Sequence, residues 1–78
     1  MDGMKPQTRL ILSLLRIHPD GLTQIECLQW GGGMRLSGRI HELRDAGFDI
    51  ETTWETFGTA RYARYKLHEQ PVQMAAGF

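Results

Sequence analysis

The fold is decided by the stretch LTQIECLQWGGGMRLSGRIHELRDAGF, residues 22–48, in which two helical patterns flank three consecutive glycines at residues 31–33. Thr23 and Glu26 have the spacing of a capping box, in which each side chain accepts a hydrogen bond from the backbone N–H of the other residue. This motif predicts that a short helix begins after Thr23 and covers residues 24–29.

A second helical pattern follows the glycines. Leu36, Ile40 and Leu43 recur at the spacing of one helix face, which predicts a helix over residues 34–46. Gly47 comes next, at the position where a residue in the left-handed conformation ends many helices. The helix is therefore expected to stop in a Schellman motif.

The glycine run has two interpretations: a loop that binds phosphate through its backbone N–H groups, or a tight corner between packed helices. A Walker-type loop requires Lys and then Ser or Thr after its last glycine, whereas this chain has Met34 and Arg35. A dinucleotide-binding loop requires a preceding strand, whereas the preceding pattern is helical. The sequence therefore favours the corner. One glycine is usual there, and close approach to a DNA backbone is one interpretation of the other two.

The segments outside this stretch complete the set of elements. Residues 6–17 carry a broad apolar stripe at helical spacing, and Pro19 keeps this first helix from continuing. Residues 48–54 and 61–67 alternate apolar and polar side chains, which is typical of strands. The loop between them contains Gly58, so the two segments are predicted to form a β-hairpin.

Three helices followed by a two-stranded hairpin predict an α+β fold, a winged helix-turn-helix domain, over residues 5–68. Residues 69–78 show no clear period and are expected to form a flexible C-terminal tail. A lone hairpin is marginally stable, so this one must pack on the helices. Beyond the first helix, the side chains expected to face the core are those of Ile25, Leu28, Leu36, Ile40, Leu43, Phe48, Ile50, Tyr65 and Leu67.

Length and charge limit the interpretation. The 78 residues suffice for one domain, and the formal net charge is zero. A zero net charge is unusual for a nucleic-acid-binding domain, which commonly has a basic excess. The charges are nevertheless segregated along the chain. Residues 35–44 hold three arginines and one glutamate, and residues 61–66 hold three basic residues and no acidic one.

Cysteine and histidine content argues against an enzyme or a metalloprotein. The single cysteine, Cys27, falls in a predicted packed helix, and the three histidines lie far apart in the chain. We therefore expect no catalytic site, no metal and no cofactor. The single cysteine and the lack of any apolar run near the ~20 residues of a membrane span predict a cytoplasmic protein without a membrane partner.

The sequence LTQIECLQWGGGMRLSGRIHELRDAGFDIET, residues 22–52, resembles the small helix-turn-helix domains that are common in bacteriophage and prophage genomes. Those domains carry the pattern LT-x-x-E-A, a glycine turn, RL-x-x-RI-x-E-LR-x-x-G and a strand, and here Cys27 takes the place of the alanine. The resemblance implies a DNA-binding protein in the cytoplasm of a bacterial host. The matching residues are Leu22, Thr23, Glu26, Arg35, Leu36, Arg39, Ile40, Glu42, Leu43, Arg44 and Gly47.

A recognition helix inserts its N-terminal half into the DNA major groove. Arg35 and Ser37 come earliest in the third helix, so they are the first candidates for contacts with base edges or phosphates. Arg39 and His41 could instead form ion pairs with acidic residues three and four positions later. The predicted DNA-binding residues of this helix are Arg35, Ser37, Gly38, Arg39 and His41.

The hairpin supplies a second group of candidates. Arg61 lies nearest the predicted tip, where it could contact a DNA phosphate, and Arg64 is a further candidate. Arg64 and Lys66 could instead pair across the hairpin with Asp49 and Glu51. The predicted DNA-binding residues of the hairpin are therefore Arg61 and Arg64.

Two classes of function follow from these patterns. The first is sequence-specific binding of double-stranded DNA by a phage-type or prophage-type protein, as a transcriptional regulator or as a recombination or replication accessory factor. The alternative is a winged helix that binds another protein, such as a phage-encoded inhibitor or adaptor of a host protein. The arginines favour the first class and the zero net charge favours the second. Both leave a homodimer open.

Overall fold

The structure is a computed structural model that describes residues 4–69 of the chain. The predicted bounds of the first two helices are confirmed. The predicted tail lies outside the described residues except for Glu69, whose carboxylate pairs with the Arg16 guanidinium at 2.6 Å. The elements in chain order are α1 (Pro6–Ile17), β1 (Leu22–Thr23), α2 (Gln24–Gln29), α3 (Leu36–Asp45), β2 (Ile50–Phe57) and β3 (Ala60–Leu67).

The start of α2 is fixed by the predicted capping box. The Glu26 backbone N–H donates to Thr23 Oγ1 over 3.2 Å, and the Thr23 N–H donates to Glu26 Oε1 over 3.0 Å. Both bonds satisfy N–H groups that have no partner inside the helix. A six-residue helix, too short to be stable alone, is thereby stabilised at its first turn.

The third helix is shorter than predicted at its start, and it ends at Asp45, one residue before the predicted end. It begins at Leu36 rather than at residue 34, because Arg35 has non-helical backbone angles of φ −113° and ψ 45°. At the other end, the Phe48 N–H donates to the Leu43 carbonyl and the Gly47 N–H to the Arg44 carbonyl, each over 3.0 Å. Gly47 has a φ of 102°, so the Schellman motif is confirmed.

The sheet has three strands rather than the predicted two. Strand β1 pairs antiparallel with β3, with Leu22 opposite Tyr65, and the strand order is β1-β3-β2. A two-residue strand is too short to show an alternating pattern, so sequence periodicity could not reveal it. The extra strand joins the segment before α2 to the hairpin and shields one edge of β3.

The hairpin itself is longer than predicted. Strands β2 and β3 have eight residues each, and Phe57 pairs with Ala60 across a two-residue turn. Gly58 in this turn has a φ of 63°, a conformation that suits glycine. The segment predicted as a medium-length loop is therefore the paired end of a wing that extends beyond the core.

The core lies between α1, α3 and the base of the hairpin. Thr8 and Cys27 add small side chains to it, and Phe48, Tyr65 and Leu67 pack against it while partly exposed. The prediction that Ile40, Leu36 and Leu43 face inward is confirmed. The buried apolar side chains are those of Ile11, Leu12, Leu14, Leu15, Leu22, Cys27, Leu36, Ile40, Leu43 and Ile50.

The prediction that α2 buries Ile25 and Leu28 is wrong. Ile25 is 68% exposed and Leu28 is 43% exposed, whereas Cys27 between them is fully buried. A helix of under two turns touches the core along one narrow line, and the side chain on that line here is the cysteine. The larger apolar side chains of α2 remain on the surface.

Within residues 4–69, no helix has both the length and the apolar character that a bilayer crossing requires.

Candidate nucleic-acid interface

The three glycines between α2 and α3 form a corner, residues 31–33, in which each glycine is required. Gly31 has a φ of 80° and Gly33 a φ of 90°, a region that strains other residues. Gly32 instead lies against the core, where an added Cβ would come within 2.5 Å of Cys27 Sγ and 3.0 Å of Ile11 Cδ1. The glycines beyond the usual single one are therefore explained by the fold, without reference to DNA.

Gln24 connects this glycine corner to the start of α3. Its Nε2 donates to the Gly33 carbonyl over 2.8 Å, and its Oε1 accepts from the Leu36 backbone N–H over 3.0 Å. Arg35, at the N-cap of α3, makes no side-chain capping bond. The cap of α3 is thus supplied by a side chain of the preceding helix. Sequence reasoning missed Gln24, because a capping residue twelve positions away leaves no local signal.

The exposed face at the start of α3 carries the first predicted contacts. The side chains of Arg35 and Ser37 are exposed and make no hydrogen bond or ion pair with any residue from 4 to 69. Gly38 is also exposed, and a Cβ added there would meet no atom within 4 Å. His41 lies one turn beyond Ser37, with its Nε2 3.4 Å from Asp45 Oδ2 on an open surface. Within residues 4–69, Arg35 and Ser37 therefore present free polar groups to the solvent, whereas His41 has the predicted partner Asp45.

Arg39 lies on the flank of α3 and is bonded within the protein. Its Nη1 donates to both carboxylate oxygens of Glu42, over 3.2 and 3.1 Å, and its side chain is only 21% exposed. Glu42 also accepts from the Thr8 hydroxyl of α1. The Thr8 hydrogen bond, followed by the bond from Arg39, lowers the pKa of Glu42. The predicted alternative partner of Arg39 is confirmed, and its contact with DNA stays a prediction.

Arg64 links four parts of the chain. Its Nε donates to Glu55 Oε2 over 2.8 Å, and its Nη1 lies 3.2 Å from the Gly21 carbonyl and 3.4 Å from Glu26 Oε1. Its side chain is 23% exposed. The side-chain hydrogen bond from Arg64 is the main reason that the pKa of Glu55 is lowered. Arg64 therefore ties β3 to β2, to the start of α2 and to the turn before it, and its contact with DNA stays a prediction.

The predicted cross-strand partners were wrong. Arg64 stands opposite Thr53 and reaches the diagonal Glu55, not either of the predicted acids. Glu51 does stand opposite Lys66, but its carboxylate lies 2.6 Å from His68 Nε2. An eight-residue strand that runs into a tight turn brings Glu55 into the ladder, whereas a medium loop would have left it outside.

Arg61 lies near the tip of the wing, over an aromatic ring. Its Cζ is 4.5 Å from the centre of the Trp54 ring, a distance typical of a cation–π contact. Both side chains are exposed, and within residues 4–69 the Arg61 guanidinium forms no hydrogen bond or ion pair. Stacking orients the guanidinium, while its N–H donors stay available to a ligand.

Arg44, near the end of α3, fixes the wing to that helix. Its Nε and Nη2 donate to the Ile50 carbonyl over 3.1 and 2.6 Å, and Nη2 also donates to Thr52 Oγ1 over 2.8 Å. Ile50 and Thr52 are in the first half of β2. The base of the wing and the exposed face of α3 are therefore held at a fixed relative position.

Comparison with known families agrees with this architecture. The family model described as "Winged helix-turn-helix domain" matches residues 6–70, most of the chain. The chain belongs to the winged helix-turn-helix family. Membership of this family indicates DNA binding, with DNA as the partner. Searches of the curated proteins and of the solved structures found no match.

Across residues 4–69, histidine, cysteine, aspartate and glutamate side chains nowhere gather in a group of three or more that could hold an ion.

Proposed function

We propose that this winged helix-turn-helix protein binds double-stranded DNA with sequence specificity. The start of α3 would enter the major groove, and the wing would contact the DNA backbone. The observation that carries the proposal is the exposed Arg35, whose side chain has no partner within residues 4–69, beside Ser37 at the N-terminal end of α3. An arginine there can reach guanine O6 and N7 with two hydrogen bonds.

The remaining candidates divide by their environment. Arg61 has free donors at the wing tip and suits a phosphate. Gly38 gives a DNA phosphate room to approach α3, because no side chain stands there. Arg39 and Arg64 would have to share guanidiniums that are already bonded to carboxylates. We therefore propose Arg35 and Ser37 as the base-reading group and Arg61 as the main phosphate contact.

The biological setting is proposed from the resemblance to phage and prophage domains. We place the protein in the cytoplasm of a bacterial cell, as a binding protein rather than an enzyme. Its role there would be that of a transcriptional regulator or a recombination or replication accessory factor.

Selection from a pool of random duplexes, followed by fluorescence anisotropy on the selected duplex, tests this proposal. Only a few basic side chains among residues 4–69 are free, so we expect ~3 to 5 phosphates to be neutralised per chain. The slope of log K against log salt concentration should then be about −3 to −5, at about 0.9 per phosphate. Failure to enrich any sequence, with a flat salt response, would contradict the proposal.

A second candidate function is binding to a protein. A cavity of about 490 Å³ lies between α2 and the outer face of the wing. Ile25 and Phe57, which are among its lining residues, are exposed apolar side chains. An Ile25→Ser, Phe57→Ser double variant that binds DNA normally but loses function in the host would favour this candidate.

A further inference from the structure

We infer that Gln24 is a positioning residue for DNA recognition. Its side-chain amide would set the base selectivity of Arg35 without contacting DNA itself. This inference rests on the proposed function, because it concerns how the proposed base-reading group is held.

The geometry uses both halves of one amide. Gln24 Nε2 donates to the Gly33 carbonyl over 2.8 Å, and Oε1 accepts from the Leu36 N–H over 3.0 Å. Leu36 is the first residue of α3, so its N–H is one of the groups that no intrahelical bond satisfies. Arg35 therefore lies between two backbone groups that the same side chain bonds.

In this arrangement, the groups that hold Arg35 in place are different from the group that would contact a base. The Arg35 backbone is held from both sides, while its side chain makes no hydrogen bond or ion pair within residues 4–69. Because a guanidinium only donates hydrogen bonds, the Arg35 side chain could not cap the Leu36 N–H, and Gln24 supplies the acceptor instead. Because Gln24 is half-buried and uncharged, its loss removes no charge that could neutralise a phosphate. The inference thus predicts a change in selectivity without a change in salt dependence.

Glutamine is the side chain that this position requires. Glutamate has the same length and can accept from Leu36, but an ionised carboxylate cannot donate to the Gly33 carbonyl. Methionine keeps a similar length and makes neither bond. The pair Gln24→Glu and Gln24→Met therefore removes one and then both halves of the connection.

The experiment compares binding to the selected duplex with binding to random duplex, by fluorescence anisotropy over a range of salt concentrations. Gln24→Met should bind the selected duplex about tenfold more weakly, as the loss of one or two hydrogen bonds implies. Its affinity for random duplex should stay within about twofold, with an unchanged salt slope. Gln24→Glu should have a ratio of selected to random affinity between those of the wild type and Gln24→Met. Its added negative charge repels both duplexes equally, so the charge by itself leaves this ratio unchanged.

Gln29→Met is the matched control. Gln29 is exposed on the same helix, and its side chain makes no hydrogen bond with the residues from 4 to 69. This variant should bind both duplexes as the wild type does. Hydrogen exchange of the Leu36 amide in the DNA-free protein should be faster than wild type in Gln24→Met and unchanged in Gln29→Met.

A double-mutant cycle identifies the residue through which Gln24 acts. In an Arg35→Ala background, Gln24→Met should cause little further loss on the selected duplex. An equal loss with and without Arg35, or an equal loss on selected and random duplex, would overturn the inference. A wild type that prefers no duplex would overturn the proposed function itself, whereas a selective wild type matched by Gln24→Met would overturn the inference alone.

Discussion

The two ends of α3 use arginine in opposite ways. Arg35, just before the helix, is exposed and has no side-chain partner within residues 4–69, whereas Arg44 near its end donates three hydrogen bonds to β2. The starting end is held by uncharged groups, the glycine corner and Gln24. The closing end is held by a cation. An arginine is thus free to bind a ligand where neutral contacts already fix the backbone.

The largest expected effect comes from crowding the start of α3. Gly32→Ala would place a Cβ 2.5 Å from Cys27 Sγ, so the corner must move away from the core. We expect a loss of about 3 kcal/mol in the free energy of unfolding, at the upper end of the usual cost of overpacking. Urea unfolding measures it.

Gly38→Ala is the matched control for that change. The added Cβ meets nothing within 4 Å, and alanine is favoured over glycine inside a helix by up to ~1 kcal/mol. The same glycine-to-alanine change, made at position 38 instead of position 32, should therefore stabilise the protein. A Gly32→Ala variant as stable as the wild type would show that the corner does not depend on its contact with Cys27.

The next effect comes from removing each of the two arginines in turn. Arg44→Met should cost about 1–2 kcal/mol of unfolding free energy, because it removes hydrogen bonds from a charged donor. Arg35→Met should leave that free energy within about 0.5 kcal/mol, because Arg35 is exposed and its side chain has no partner within residues 4–69. Binding to the selected duplex should instead weaken by ~1 to 3 kcal/mol in Arg35→Met. If Arg35→Met is the less stable of the two, the contrast between the ends of α3 is wrong.

A smaller effect is expected at the wing tip. Arg61→Met should weaken selected and random duplex alike and reduce the salt slope by about one, since a phosphate contact carries no sequence information. Salt titrations of both duplexes measure this. Lys66→Met, which removes another exposed cation from the same strand, serves as the comparison. A loss of selectivity in Arg61→Met would move base reading from α3 to the wing.

The smallest effect concerns the middle of α3 and depends on pH. Bonds from Thr8 and Arg39 lower the pKa of Glu42 in the folded protein. The resulting stability is fully present above the ordinary glutamate pKa, about 4.3, and is lost as pH falls through the lower folded pKa. Glu42→Gln should therefore lose less of its melting temperature on acidification than the wild type does. Equal losses in both proteins would contradict this assignment.

The sequence predicted the elements whose signals are local. The capping box of Thr23 and Glu26 lies within four residues, and the Schellman ending at Gly47 within six, so each is readable without knowledge of the fold. Apolar spacing in α1 and α3 was equally informative. These motifs fix helix ends through bonds between near neighbours, and tertiary packing preserved them.

The features that were missed depend on residues far apart in the chain. Strand β1 exists only because it pairs with β3, more than forty residues later. Gln24 bonds across the corner, and Arg64 reaches Gly21 and Glu26 from the hairpin. The exposure of Ile25 likewise follows from how a short helix lies on the core. The pattern of neighbouring residues carries no information about contacts between residues so far apart in the chain.

The candidate site was predictable in part for the same reason. The pairing of Arg39 with Glu42 follows from helical spacing alone, and the structure contains it. Whether the start of α3 was held in place could not be read from sequence, since that required knowing that Gln24 caps the helix from twelve residues away.

The contact between Gly32 and Cys27 also makes the chain's single thiol a reporter of local opening. Cys27 is fully buried, and burial raises the pKa of its thiol, so little reactive thiolate reaches the solvent while the corner is closed. Alkylation of this thiol would therefore proceed mainly through molecules in which residues 31–33 have moved away from α2. Its rate would measure how often the start of α3 comes loose, without any substitution in the protein.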